Sequence, residues 1–123
     1  MFLQKSESWK WRDWDISWSS SKLLSNKNEF NILLIHGFGA SKKHWRHNQD
    51  FLGNIYNCYS IDLLGFGEIS QPCALLDYES YQENHVKYSF DLWGSQIAKF
   101  CSEVIQSPVF LVGNSIGLSL IHI

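Results

Sequence analysis

The sequence predicts an α/β fold in which an N-terminal hairpin precedes a mostly parallel sheet flanked by helices. Three observations carry this expectation. Near-continuous apolar runs at residues 30–35 and 109–112 suit strands covered on both faces, and residues 56–61 read as another short strand between them. Residues 89–105 place Leu92, Trp93, Ile97, Phe100, Cys101, Val104 and Ile105 on one helical face at three-and-four spacing. Each of these three strands is followed closely by glycine-containing turn chemistry, and strands alternating with helices mean a parallel sheet.

The elements follow in order. Trp9 and Trp11 alternate with Lys10 and Arg12, as in a half-buried strand. Asp13-Trp14-Asp15 can turn the chain, and Ile16 and Trp18 continue a second strand. Tryptophans at period two read as strand faces against a core rather than as a platform for a sugar or base. Ser19-Ser20-Ser21 and Asn26-Lys27-Asn28 have loop composition. The apolar strand at 30–35 ends in His36-Gly37-Phe38-Gly39, after which Ser41 caps a helix reaching about Phe51. The basic stretch Lys42-Lys43-His44-Trp45-Arg46-His47 reads as the solvated face of that helix rather than a nucleic-acid patch. The strand at 56–61 ends in Asp62-Leu63-Leu64-Gly65-Phe66-Gly67, and residues 68–88 show no period and read as loop. Ser89 caps the second helix, and Ser107-Pro108 stops it before the last strand.

A length of 123 residues allows one domain, and a 45% hydrophobic, 15% aromatic composition gives it enough apolar mass for a core. A net charge of −2 argues against a polyanionic partner such as nucleic acid. Cys58, Cys73 and Cys101 are odd in number and far apart, which disfavours both a disulfide framework and a zinc site. With no signal-peptide core and no apolar run long enough to span a bilayer, the expectation is a cytoplasmic protein without a transmembrane segment.

The motif that carries chemistry is Gly113-Asn114-Ser115-Ile116-Gly117, directly after the strand at 109–112. It has the G-x-S-x-G form of a nucleophile elbow, in which a tight strand-to-helix turn thrusts a serine hydroxyl into a cleft. Gly113 and Gly117 keep side chains away from the crowded turn. Acyl transfer by such a serine creates a tetrahedral oxyanion that backbone N–H groups stabilise by several kcal/mol, about 3 for one donor. The residue after the nucleophile, Ile116, would give one N–H, and Phe38, flanked by Gly37 and Gly39, would give the other.

The segments 32–39, 61–67 and 112–117 occur in the order and context of the α/β-hydrolase family, which this sequence resembles over nearly all its length to Gly117. The Gly-Asn-Ser elbow, His-Gly-Phe-Gly and Phe90-Asp91-Leu92-Trp93 most resemble the plant and cyanobacterial branch that includes pheophytinase-like enzymes acting on chlorophyll-type esters. The resemblance implies hydrolysis of an ester or similar bond in a small molecule, with Ser115 as nucleophile and no cofactor or metal. It also implies that His36 supports the oxyanion loop and is not the base.

The family's serine needs an acid and a histidine that come later in the chain, and its members are roughly twice this length or more. The expectation is therefore a single truncated domain over 1–123, an incomplete α/β-hydrolase fold that is inactive alone. Leu118 stands where the family often has a small residue, and 118–123 do not look like the usual helix. His122, even on a helix, would lie ~10 Å along the axis from Ser115, too far for a base. His44, His47 and His85 read as surface groups, and Asp62 as a turn carboxylate. The alternative is a catalytically inactive fragment or small-molecule-binding module of the same fold.

Overall fold

The computed structural model describes residues 2–23, 30–76, 78–115 and 117. Strands β1 (Phe2–Trp11) and β2 (Trp14–Leu23) form a long antiparallel hairpin. The turn is Arg12-Asp13, one step earlier than the sequence suggested, with Arg12 at φ +56. Trp14 is already in β2, because Trp11 pairs with it and their rings lie 5.9 Å apart. The Arg12 guanidinium sits 4.5 Å over the Trp11 ring.

Residues 19–21 are not the loop their composition suggests. They extend β2 and pair antiparallel with β4 (Asn57–Ile61), Ser19 against Ser60 and Ser21 against Cys58. Small side chains are tolerated there because α1 (Arg46–Leu52) covers that face and sends Gln49 into it. The Gln49 carboxamide oxygen accepts from the Ser19 and Ser60 hydroxyls at 3.1 and 3.0 Å. Its nitrogen donates to the Ser19 and Cys58 carbonyls at 3.1 and 3.2 Å. Four hydrogen bonds thus replace the apolar contacts that the serines lack.

Strand β3 (Asn31–Ile35) runs parallel to β4 on one side and to β7 (Val109–Gly113) on the other. The five-stranded sheet has the order β1-β2-β4-β3-β7. This is the predicted mixed sheet, with an antiparallel hairpin at one edge and parallel strands at the other. Within 68–88, read as loop, two short strands, β5 (Cys73–Ala74) and β6 (His85–Val86), pair in parallel.

The sheet's two faces differ in chemistry. One presents Trp9, Trp11, Ile16, Trp18, Leu33, Ile35 and Ile61 to α2 (Phe90–Phe100), whose Leu92, Trp93, Ile97 and Phe100 complete the core. The Phe100 ring meets Trp9 and Trp18 edge-on at centroid distances of 5.4 and 5.5 Å, a favoured geometry for aromatic pairs. Ser89 caps α2 as expected, its Oγ accepting from the Leu92 N–H at 3.0 Å. A π turn (Cys101–Ile105) follows and ends at Gln106, which is left-handed at φ +58. The opposite face carries the serines, Cys58, Leu34, Phe110 and Val112, partly covered by α1 and the 3₁₀ turn Lys42–Trp45.

Gln49→Leu should lower the unfolding free energy by about 1–3 kcal/mol, because it strands buried hydroxyls and carbonyls. Phe51→Ala, at an exposed position of the same helix, should stay within about 0.5 kcal/mol of the parent. Urea unfolding of both variants measures the difference.

Candidate active site

The site lies at the carboxyl ends of the parallel strands, where open α/β sheets bind their ligands. β7 ends at Gly113, and the chain turns at once: Asn114 N–H donates to the Ile35 carbonyl at 3.2 Å, and Gly117 N–H to the Asn114 carbonyl at 3.0 Å. Between them Ser115 is exposed and left-handed at φ +58. That backbone region costs a non-glycine residue of order 1–3 kcal/mol and collects at functional sites. The Ser115 hydroxyl has no hydrogen-bond partner among the described residues.

The turn is packed against β3. A Cβ on Gly117 would fall 2.5 Å from the Ile35 carbonyl oxygen, so only glycine fits. The loop after β3 is equally close from the other side. A Cβ on Gly37 would sit 3.0 Å from the Ser115 Cβ and 3.1 Å from the Asn114 carbonyl oxygen. The His-Gly-Phe-Gly loop and the elbow, distant in sequence, therefore meet directly.

Gly37 to Ala40 form a tight turn, with Ala40 N–H donating to the Gly37 carbonyl at 3.2 Å and Gly39 at φ +76. Positive φ at the third residue is the mark of a type II turn. Phe38, second in this turn, has an exposed side chain and an N–H with no protein partner among the described residues. Gly113 lies at the end of β7, paired with Ile35. Ile116 falls outside the described residues.

His36 is wholly buried and bonded at both ring nitrogens: Nε2 accepts from the Leu63 N–H at 2.9 Å, and Nδ1 lies 2.7 Å from the Gly37 carbonyl. The first contact makes Nε2 the unprotonated nitrogen and assigns the proton to Nδ1. With both nitrogens engaged, the ring ties the loop after β3 to the loop after β4.

The second loop is held from several sides. Gln96 accepts from the Leu64 N–H and donates to the Asp62 carbonyl, each at 2.9 Å, and Trp93 Nε1 donates to the Leu64 carbonyl at 3.0 Å. The Asp62 carboxylate accepts from the backbone N–H groups of Lys42 and Glu68 at 2.7 and 3.4 Å. Gln96 was not singled out from sequence, although a polar residue on an otherwise apolar helical face was the available signal.

Beside Phe38, a cavity of about 370 Å³ is walled by Phe66, Pro72, Tyr88 and Trp93. Phe38 and Phe66 meet edge-on at 5.2 Å, and Phe66 lies 5.6 Å from Trp93. This aromatic basin begins one residue from the elbow contact.

Burial lowers the His36 pKa, and this outweighs the opposing pull of its Gly37 hydrogen bond and the Asp62 charge. The unfolded chain therefore binds this proton more readily than the folded one. Its contribution to stability is unperturbed above the ordinary histidine value of about 6.5 and declines as pH falls below it, levelling off beneath the folded pKa. A nuclear magnetic resonance titration of the His36 ring should give a midpoint below 6.5; a midpoint at or above it would contradict the buried, doubly bonded ring.

Comparison with known proteins agrees with this architecture. The family model described as "Alpha/beta hydrolase family" matches residues 32–121. Chloroplastic pheophytinase of Arabidopsis thaliana is 30% identical over 70% of this chain and 22% of its own. The mouse (lyso)-N-acylphosphatidylethanolamine lipase is 29% identical over 81% of this chain and 27% of its own. The structure of a haloalkane dehalogenase from Bradyrhizobium elkani superposes with a TM-score of 0.77 over 97% of this chain and 36% of that one, at 16% identity. That likeness shows the fold alone. The chain spans about a quarter of the length of these curated relatives. A match over most of the chain, with the mixed sheet and the strand order seen here, places the chain in the α/β-hydrolase family.

Proposed function

We propose that this chain carries the nucleophile and oxyanion loop of a serine hydrolase acting on an ester or similar bond of a small molecule. The observation that carries the reading is the meeting of an exposed, left-handed Ser115 with a loop whose Phe38 N–H lacks a partner among the described residues. Ser115 Oγ attacks the carbonyl carbon, and the carbonyl oxygen gathers charge as the C=O π bond opens. The Phe38 and Ile116 N–H groups donate to that oxygen. The aromatic basin beside Phe38 offers an apolar wall to one side of the substrate.

A hydroxyl is a weak nucleophile until a base takes its proton. His36 cannot do so, being bonded at both nitrogens, and His85 Nδ1 already contacts the Glu83 carbonyl at 2.8 Å. In this reading the activating histidine and its acid come from outside the described residues. Cys58 is no rival nucleophile, since burial pushes its thiol up to about 12. The three cysteines are free thiols, which suits the reducing cytoplasm proposed as its location.

Residues 1–123 on their own should hydrolyse a short-chain ester no faster than a Ser115→Ala control. Turnover well above that control, from a folded monomer, would show that the chain holds its own base and contradict the assignment of histidines above. In the competent polypeptide, Ser115→Ala should abolish labelling by a fluorophosphonate.

The oxyanion role is separable from the side chain. Phe38→Pro deletes the N–H at a turn position where proline is favoured, so the loop should persist while kcat falls about 10²–10³-fold. Phe38→Ala keeps the N–H and should stay within about tenfold of the parent in kcat. Equal losses in both variants would remove the backbone donor from the mechanism.

A further inference from the structure

A second cavity, of about 360 Å³, opens on the serine-rich face of the sheet, and its lining shares no residue with the elbow or with the basin beside Phe38. Its walls are Ser6 and Ser19 of the hairpin, Gln49 of α1, and four charged residues: Lys42, Lys43, Arg46 and Glu68. The space exists because serines rather than larger residues line that part of β1 and β2. Three cations face one carboxylate, an excess of two positive charges among the lining residues.

The basic stretch is not simply the solvated helix face expected from sequence. Lys42 is buried, with its side chain only 7% exposed. Its ammonium lies 3.8 Å from Glu68 Oε1, too long for a hydrogen bond, and that same oxygen is held by Lys43 at 2.8 Å. Glu68 is thus already committed to the exposed lysine. The Asp62 carboxylate nearby is turned to the backbone N–H groups of Lys42 and Glu68. Gln49 and Ser19 are saturated by each other, Ser60 and the sheet carbonyls, so they form a wall, and among the described residues the ammonium has only the 3.8 Å ion pair with Glu68. The ammonium opens onto the cavity, where the oxygens of an oxyanion would give it hydrogen-bond acceptors at shorter range than Glu68.

We propose that this cavity binds the phosphate group of a phosphomonoester, with Lys42 at its base and Lys43 and Arg46 at its rim. The net positive charge of the lining favours an anion, and the several oxygens of a phosphate give the two lysines acceptors beyond Glu68. The cavity has room for a small organic group beyond the phosphate, within the usual size of ligand sites. The site stands independently of Ser115 and of the hydrolytic reading.

Calorimetric titration of the purified protein at physiological ionic strength tests it, with inorganic phosphate, glycerol 3-phosphate, and vesicles of phosphatidic acid against phosphatidylcholine as probes. Saturable binding of inorganic phosphate and glycerol 3-phosphate is expected. Glu68→Gln, which removes the competing carboxylate at an exposed position, should tighten glycerol 3-phosphate binding about threefold or more, and Lys43→Gln should weaken it about as much. Lys42→Gln should weaken it about tenfold or more, with circular dichroism confirming that the variant is folded. Phosphatidic acid vesicles binding at least as tightly as glycerol 3-phosphate would assign a lipid headgroup, and weaker or absent vesicle binding a soluble ester. No saturable binding of either soluble phosphate, or binding that the two exposed-site variants leave unchanged, would overturn the proposal.

Discussion

The arrangement at the strand ends depends on one buried contact, the 2.9 Å hydrogen bond from the Leu63 N–H to His36 Nε2. It joins the loop after β3 to the loop after β4, in a region with no sheet pairing left to hold them. With Gln96 and Trp93 engaging Asp62 and Leu64 from α2, it places the first loop where Gly37 can touch Ser115. Removing the ring would leave the buried Leu63 N–H unmet, at a cost of about 1–3 kcal/mol. Catalytic geometry in this reading is therefore a product of core polar chemistry, and a flexible loop could not provide it.

The sheet separates two kinds of construction. On the α2 face, tryptophans from both hairpin strands pack round Phe100, and burial of large aromatic surface supplies the stability. On the α1 face, small serines and a single glutamine do the work with hydrogen bonds, which leaves space over the hairpin. Phe110 and Val112 of β7 remain exposed on this face, with Phe110 6.0 Å from Phe30.

Much of this was legible in the residues. The strands at 31–35 and 109–113 announced themselves as apolar runs, because each is paired along its length, and 57–61 read as a short strand between them. Ser89 and the spacing from Leu92 to Phe100 identified α2. The glycines round Ser115 pointed to the elbow, since a crowded turn excludes side chains. What composition hid was long-range. Ser19 and Ser21 resemble loop residues until Gln49, thirty positions from Ser19, is seen to satisfy Ser19. Lys42 resembles a solvated lysine, yet its side chain is buried beside the cavity that Ser19 and Gln49 wall. The contact between Gly37 and Ser115 follows from parallel pairing of β3 with β7, which no local pattern states.

In the reading proposed above, the polar clamp aims two backbone N–H groups at one point above Ser115. The most direct measurement is a crystal structure of the competent enzyme with a phosphonyl group attached to Ser115 Oγ, a mimic of the tetrahedral intermediate. A phosphonyl oxygen is expected at about 2.7–3.1 Å from both the Phe38 and Ile116 nitrogens, with Ser115 still at positive φ. A phosphonyl oxygen turned to solvent, with the Phe38 N–H bonded elsewhere in the protein, would contradict it.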